Sequence, residues 1–171
     1  MNTRTLIFWI LTSPFAWALL KPAPPPIADS QPFRESLLKA DKLFIYEGLP
    51  HQTWQADKLK EELKRSDVTK IGGFPFYTPA LEVTNSDELK QLLGTPASIR
   101  PYGGGKLCGG YHPDYSVSWT AGGITYHVQI CLGCHEIVFL TGNTSLKYDM
   151  ADDAVKRFEA LRKRYTLKRP E

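Results

Sequence analysis

Between residues 115 and 131 the chain alternates with a period of two, and nothing else in the sequence restricts the fold as strongly. Tyr115, Val117 and Trp119 interleave with Ser116, Ser118 and Thr120. After Ala121-Gly122-Gly123, Ile124, Tyr126, Val128 and Ile130 interleave with Thr125, His127, Gln129 and Cys131. Successive strand side chains point to opposite faces, so this segment predicts a hairpin with one apolar and one polar face. The apolar face needs a cover. Residues 136–140 (EIVFL) continue the sheet with a third strand, and residues 146–148 are a candidate fourth.

Helical patterns before and after the hairpin can supply that cover. Pro32 at a first helical position precedes Phe33, Leu37 and Leu38 in a short amphipathic segment. Residues 42–46 (KLFIY) predict a strand stopped by Gly48 and Pro50. Thr53 can cap a helix to about Arg65, with Trp54, Leu59 and Leu63 as its buried stripe. Residues 74–77 (FPFY), interrupted by Pro75, suit an edge strand or an ordered loop. Asn85 and Glu88 have capping-box spacing before Leu89, Leu92 and Leu93, with Gly94 as the stop. A last helix is expected from a cap at Asp149 to about Tyr165, with Ala151, Val155, Phe158 and Leu161 inward. Together these predict an α+β domain over residues 33–171: an antiparallel sheet, central hairpin plus flanking strands, with helices on one face.

The N-terminal residues read as an export signal. Arg4, a broken apolar run and Ala16-Trp17-Ala18 place cleavage after Ala18, and residues 19–32 follow as a proline-rich linker. The run is short for a spanning helix, so an uncleaved segment is the only expected membrane contact. The formal charge is +3, and loss of Arg4 with the signal leaves +2. A chain so near neutrality gives no reason to expect nucleic acid as a partner.

Residues 101–140 hold all three cysteines, three of the four histidines and eight of the thirteen glycines. The chain also contains Tyr46-Glu47-Gly48-Leu49-Pro50-His51, Gly73-Phe74-Pro75-Phe76-Tyr77, Cys108-Gly109-Gly110-Tyr111-His112-Pro113-Asp114-Tyr115 and Cys131-Leu132-Gly133-Cys134. In these motifs it resembles a family of small exported bacterial proteins that carries no assigned activity, cofactor or partner. The resemblance implies that the residue after Cys134 need not be histidine.

Export makes the odd cysteine the chemical question, because three thiols cannot all pair within one chain. A structural disulfide from Cys108 to Cys131 or Cys134 would staple the glycine-rich loop to the sheet and is the simplest reading. A Cys131–Cys134 pair would instead resemble a redox dithiol, without the helix N-terminus that usually activates one. A zinc knuckle would use Cys131, Cys134 and Cys108, with His112 or His135 as fourth ligand. Cys131-Leu132-Gly133-Cys134-His135 also matches the attachment pattern of haem c, although here it sits between strands. Nucleophilic catalysis by a cysteine with His112 as base and Asp114 as its orienter is opposed by a simpler role for His112-Pro113-Asp114 as a turn. His127 lies on the same strand face as Cys131, within possible reach of the cluster. His51 is expected to pack or to cap the next helix. Arg162, Lys163, Arg164, Lys168 and Arg169 read as a solvated helix end. The expected protein is thus exported and non-catalytic, with a Cys/His cluster serving as structural disulfide or zinc site. The competing expectation is a redox protein carrying haem c on Cys131, Cys134 and His135.

Overall fold

A computed structural model of the protein describes residues 23, 25–165 and 168–170. The expected signal segment lies outside the described residues, as do positions 19–22 and 24 of the expected linker. A 3-10 turn (Ile27–Ser30) leads into α1 (Gln31–Leu38), followed by β1 (Phe44–Glu47), α2 (Ala56–Glu62), β2 (Val68–Ile71), β3 (Phe74–Tyr77), β4 (Leu81–Glu82), α3 (Asp87–Gly94) and β5 (Ile99–Pro101). The second half contains β6 (Tyr115–Ala121), β7 (Ile124–Cys131), β8 (Glu136–Thr141), β9 (Thr144–Met150) and α4 (Asp152–Arg162). Seven strands form one sheet in the order β4-β1-β6-β7-β8-β9-β5, and β2 and β3 form a separate hairpin. Every pairing is antiparallel, so the fold is α+β as expected.

The meander from β6 to β9 keeps the predicted alternation. Tyr115 lies opposite Ile130, Val117 opposite Val128 and Trp119 opposite Tyr126; across the next ladder Ile130 faces Ile137 and Val128 faces Phe139. These residues share one face with Ile45 and Tyr148, and that face is buried under Phe33 and Leu37 of α1, Leu89, Leu92 and Leu93 of α3, and Val155, Phe158 and Leu161 of α4. Burial of each such large apolar side chain stabilises the fold by about 1.5–3 kcal/mol. Trp119 stacks on Tyr126 with centroids 5.5 Å apart, and its Nε1–H donates to Ser36 Oγ at 3.0 Å, tying α1 to the sheet. Where α1 meets α3, Arg34 Nη1 donates to the last helical carbonyl, Gly94 O, at 3.3 Å. A β-carbon on Gly94 would lie 2.8 Å from Leu38 Cδ2, so a bare backbone sets the approach of these helices.

The opposite face is polar but not open to water. Ser116, Ser118, Gln129 and Glu136 are buried there. The β2–β3 hairpin and residues 102–114 roof it. Gln129 Nε2 donates to Ile71 O at 2.7 Å, and the Phe74 and Tyr111 rings meet edge to face. Sequence alternation assigns the two faces correctly without revealing that both are covered.

Four local expectations need correction. Trp54 and Leu63 do not line a buried stripe: they are 68% and 48% exposed, and α2 buries none of its residues. Asn85 is not a capping residue; it takes a left-handed φ of 55°, and α3 starts after Ser86 without a side-chain cap. Asp149 belongs to β9, leaving Ala151 as the residue that precedes α4. Packing also begins ahead of residue 33, because Tyr148 Oη–H donates to Pro26 O at 2.9 Å.

Gly48 joins β1 to the site described below. Its N–H donates to Asp114 O at 2.8 Å, and a β-carbon there would sit 2.2 Å from Pro113 O. Gly48→Ala is therefore expected to lose about 1–3 kcal/mol of stability, the scale of an overpacked contact, measured as a lower urea midpoint at unchanged slope.

Candidate functional site

The site is a connection rather than an element. Residues 102–114 run from β5 to β6 without helix or strand, and the β7–β8 turn at 132–135 lies beside them. Cys131 ends β7 opposite Glu136 at the start of β8, so the C-x-x-C motif spans a hairpin turn, with His135 left-handed at φ 52°. Cys108 is bonded to Cys134 with Cα atoms 5.7 Å apart, and Cys131 is a buried free cysteine. Of the two bridges open from sequence, the one to the second cysteine of the motif is formed. Gly110 O lies 3.7 Å from both bonded sulfurs. Neither sulfur carries a hydrogen, so the contact is one of packing. Burial pushes the Cys131 thiol above its ordinary range, against the pull of backbone hydrogen bonds from His112 and Cys134.

A second clasp holds the loop from outside. Thr53 Oγ1 donates to Gly109 O at 2.9 Å, Trp54 Nε1 to Cys108 O at 3.4 Å and Gln52 Nε2 to Tyr111 O at 3.4 Å. Gly109 has a φ of 77°, and a β-carbon on it would stand 3.0 Å from His51 Cε1 and Trp54 Nε1. Glycine is required there on both counts. His51 Nδ1 accepts from the N–H groups of Thr53 (3.0 Å) and Trp54 (3.4 Å) in the turn ahead of α2. The helix starts after Gln55 without a side-chain cap, so neither Thr53 nor His51 caps it, and His51 packs instead.

Asp114 gathers the remaining strands of the site. Its Oδ2 accepts from Leu132 N–H at 2.7 Å, and its Oδ1 accepts from Arg169 Nη1 at 2.9 Å. Arg169 also donates from Nε to Gly48 O (2.9 Å) and from Nη2 to Asp114 O (3.1 Å). Glu47 accepts the backbone N–H groups of Lys168 and Arg169, and Lys168 Nζ donates to Thr78 O at 2.7 Å. The last basic residues are thus not a solvated helix end: Lys168 and Arg169 are built into the site. His112 Nε2–H donates to Leu49 O at 2.8 Å, which leaves Nδ1 facing Asp114 Oδ1 at 3.8 Å. Burial lowers the proton affinity of His112; Asp114 opposes this and Arg169 reinforces it. The His51 ring lies alongside, 4.7 Å between centroids.

The far side of the loop is held by charge. Lys106 Nζ donates to Cys134 O at 2.7 Å and to Asp149 Oδ1 at 2.8 Å, and Asp149 Oδ2 accepts from Gly103 N–H at 3.1 Å. Lys147 pairs with buried Glu136 at 2.7 Å and lies 4.4 and 4.9 Å from the ring centroids of Tyr102 and Tyr111. Burial would lower the Lys147 amine, but Glu136 outweighs it and the net shift is upward. Burial also drives the Tyr111 phenol well up.

The structure separates the other predicted ligands. His135 is half exposed, its Nδ1 3.5 Å from Asp152 Oδ1. His127 lies four residues along β7 from Cys131, in a shallow groove with Lys70, Gly72 and Leu140; it does not join the cluster. Among the described residues no group of three or more His, Cys, Asp or Glu side chains is arranged to hold a metal. The zinc set therefore does not assemble: Cys134 is consumed in the disulfide, and His135 points elsewhere. The same bond leaves only one free thiol in the motif, so the two thioethers of haem attachment have no pair of thiols in this state. The nucleophile–base–orienter trio lies together but is already engaged: Cys108 is in the disulfide, His112 donates to Leu49 O, and Asp114 accepts from Leu132 N–H and Arg169. Beside them is a pocket of about 240 Å³ lined by Trp54, Leu107, the disulfide, Cys131, His112 and Asp114 among others.

Sequence reasoning missed Arg169, Lys106, Asp149, Glu136 and Lys147 as members of this site. Asp114 carried a signal, through its place after His112-Pro113; the distant partners carried none. Comparison with family models, with curated proteins and with solved structures yields no significant match.

His112 and His127 both bind protons less readily in the fold than in the unfolded chain, through burial. Protonation therefore favours unfolding. Their stabilisation is fully present above the unfolded histidine value of about 6.5 and is lost as pH falls through the lower folded values. Stability by denaturant titration is expected to decline from about pH 7 to about pH 5, and less steeply in His112→Gln.

Proposed function

We propose that the chain is an exported bacterial domain without catalytic machinery of its own, in which a structural disulfide fixes the 102–114 loop as a presented surface. The observation that carries this reading is the Cys108–Cys134 bond, which links that loop to the β7–β8 turn across a sequence separation of 26. An oxidising compartment suits such a bond. The non-catalytic part rests on how the polar groups are used. His112 and Asp114 already hold Leu49, Leu132 and Arg169, and the one free thiol is buried with its proton held more tightly than usual. A general base or nucleophile needs a free lone pair facing a substrate. His112, Asp114 and Cys131 line the pocket, but His112 Nε2 and both Asp114 carboxylate oxygens are already bonded to protein and the thiol keeps its proton. The surface so fixed joins Trp54, Leu107 and the glycine-rich loop.

Non-reducing peptide mapping tests the pairing. A Cys108–Cys134 linked peptide with Cys131 alkylated only after unfolding supports the reading, and three free thiols would contradict it. Replacing both cysteines by serine is expected to cost about 3–4 kcal/mol, the size for a loop of this length, read as a lower denaturant midpoint.

A further inference from the structure

The two sulfurs of the disulfide are not equally placed. Cys134 is 3% exposed, whereas Cys108 is only partly covered and opens on the pocket of about 240 Å³. Two large apolar side chains stand at that opening. Leu107, next to Cys108, is exposed along its entire side chain, and Trp54 is 68% exposed. Exposed apolar groups beside a concave pocket mark a binding surface more often than isolated ones do. Neither Leu107 nor Trp54 lies in the core cluster. The leaving side is equally defined: Cys134 sits beside the Cys131 thiol, whose sulfur accepts a backbone hydrogen bond from Cys134. Both cysteines line the pocket, and Cys108 is the less covered of the two, at an opening flanked by Leu107 and Trp54.

We propose that Cys108 is a thiol-exchange site for the cysteine of an apolar polypeptide segment, which docks against Leu107 and Trp54. The incoming thiol gives up its proton, and its sulfur pair forms a new bond to Cys108 Sγ. The Cys108–Cys134 bond breaks with its electron pair on Cys134 Sγ, which takes up a proton. The incoming sulfur is oxidised and Cys134 is reduced; no further reactant is needed. Attack by Cys134 on the mixed disulfide restores the original bond and releases the partner. This inference rests on the pairing proposed above and adds a substrate class to it.

The test uses the full chain, without reductant, mapped first to establish the starting disulfide. A Phe-Cys-Leu tripeptide and reduced glutathione are then supplied as separate probes, with acid quenching, alkylation and peptide mapping. The expected product is a mixed disulfide on Cys108 with Cys134 newly alkylated, forming faster with the tripeptide. Leu107→Ser, which removes no packing from the fold, should slow the tripeptide by about tenfold and leave glutathione unchanged, as expected for loss of one apolar contact. Cys131→Ser should give the same product, which excludes entry through Cys131. Adducts on Cys134 or Cys131, equal rates for the two probes, or no effect of Leu107→Ser would overturn the proposal. A Cys108–Cys134 bond that forms no adduct overturns exchange alone. A starting protein without that bond removes the staple reading as well.

Discussion

The path from β5 to β6 crosses thirteen residues without a helix or strand, and its hold on the molecule depends on the bond between Cys108 and Cys134. Gly103, Gly104, Gly105, Gly109 and Gly110 lie on this path, and glycine loses more freedom on ordering than any other residue. Neutral hydrogen bonds such as Thr53 to Gly109 each contribute only about 1 kcal/mol net. A cross-link acts differently: it restricts the unfolded chain and so lowers the entropy lost when the loop is laid down. With the sulfurs joined, the contacts of Gln52, Thr53 and Trp54 need only select an orientation. Lys106 and Asp149 then fix the far end of the loop against β9.

The two faces of the sheet have different duties. The helix face is a continuous apolar core from Phe33 to Leu161 and supplies most of the folding free energy. The other face buries Ser116, Gln129 and Glu136 and is closed by the β2–β3 hairpin and the glycine-rich loop. Buried polar groups stabilise only when paired, which explains the density of bonds there, from Gln129 to Ile71 and from Lys147 to Glu136. Asp114 connects this region to the end of the chain through Arg169, so residues at positions 47–49, 112–114, 132 and 168–169 form one network.

How much of this was legible in the sequence depended on whether the determining contacts were local. Residues 115–131 announced their hairpin because alternation is a nearest-neighbour signal, and Leu89, Leu92 and Leu93 announced a buried helix face for the same reason. Trp54 and Leu63 carried a helical spacing that no partner surface answers, since the loop is attached to 51–54 by polar bonds and α2 lies outside the core. Asp149 had the composition of a cap but was drawn into β9 by pairing opposite Glu136. The cysteine cluster was visible as a cluster. Its pairing was not, because Cys131 and Cys134 are three residues apart and only the hairpin turn decides which sulfur meets Cys108. Arg169 lies 55 residues from Asp114, and no local pattern could have joined them.

Amide hydrogen exchange with peptide-level readout, comparing the oxidised protein with its reduced form, tests most directly whether the disulfide is what holds the loop. Reduction should remove protection from residues 48–55, 102–114 and 131–135 while β6, β8 and α4 stay protected. Loss of protection spread evenly over the sheet and helices, or no change in the loop at all, would contradict the account.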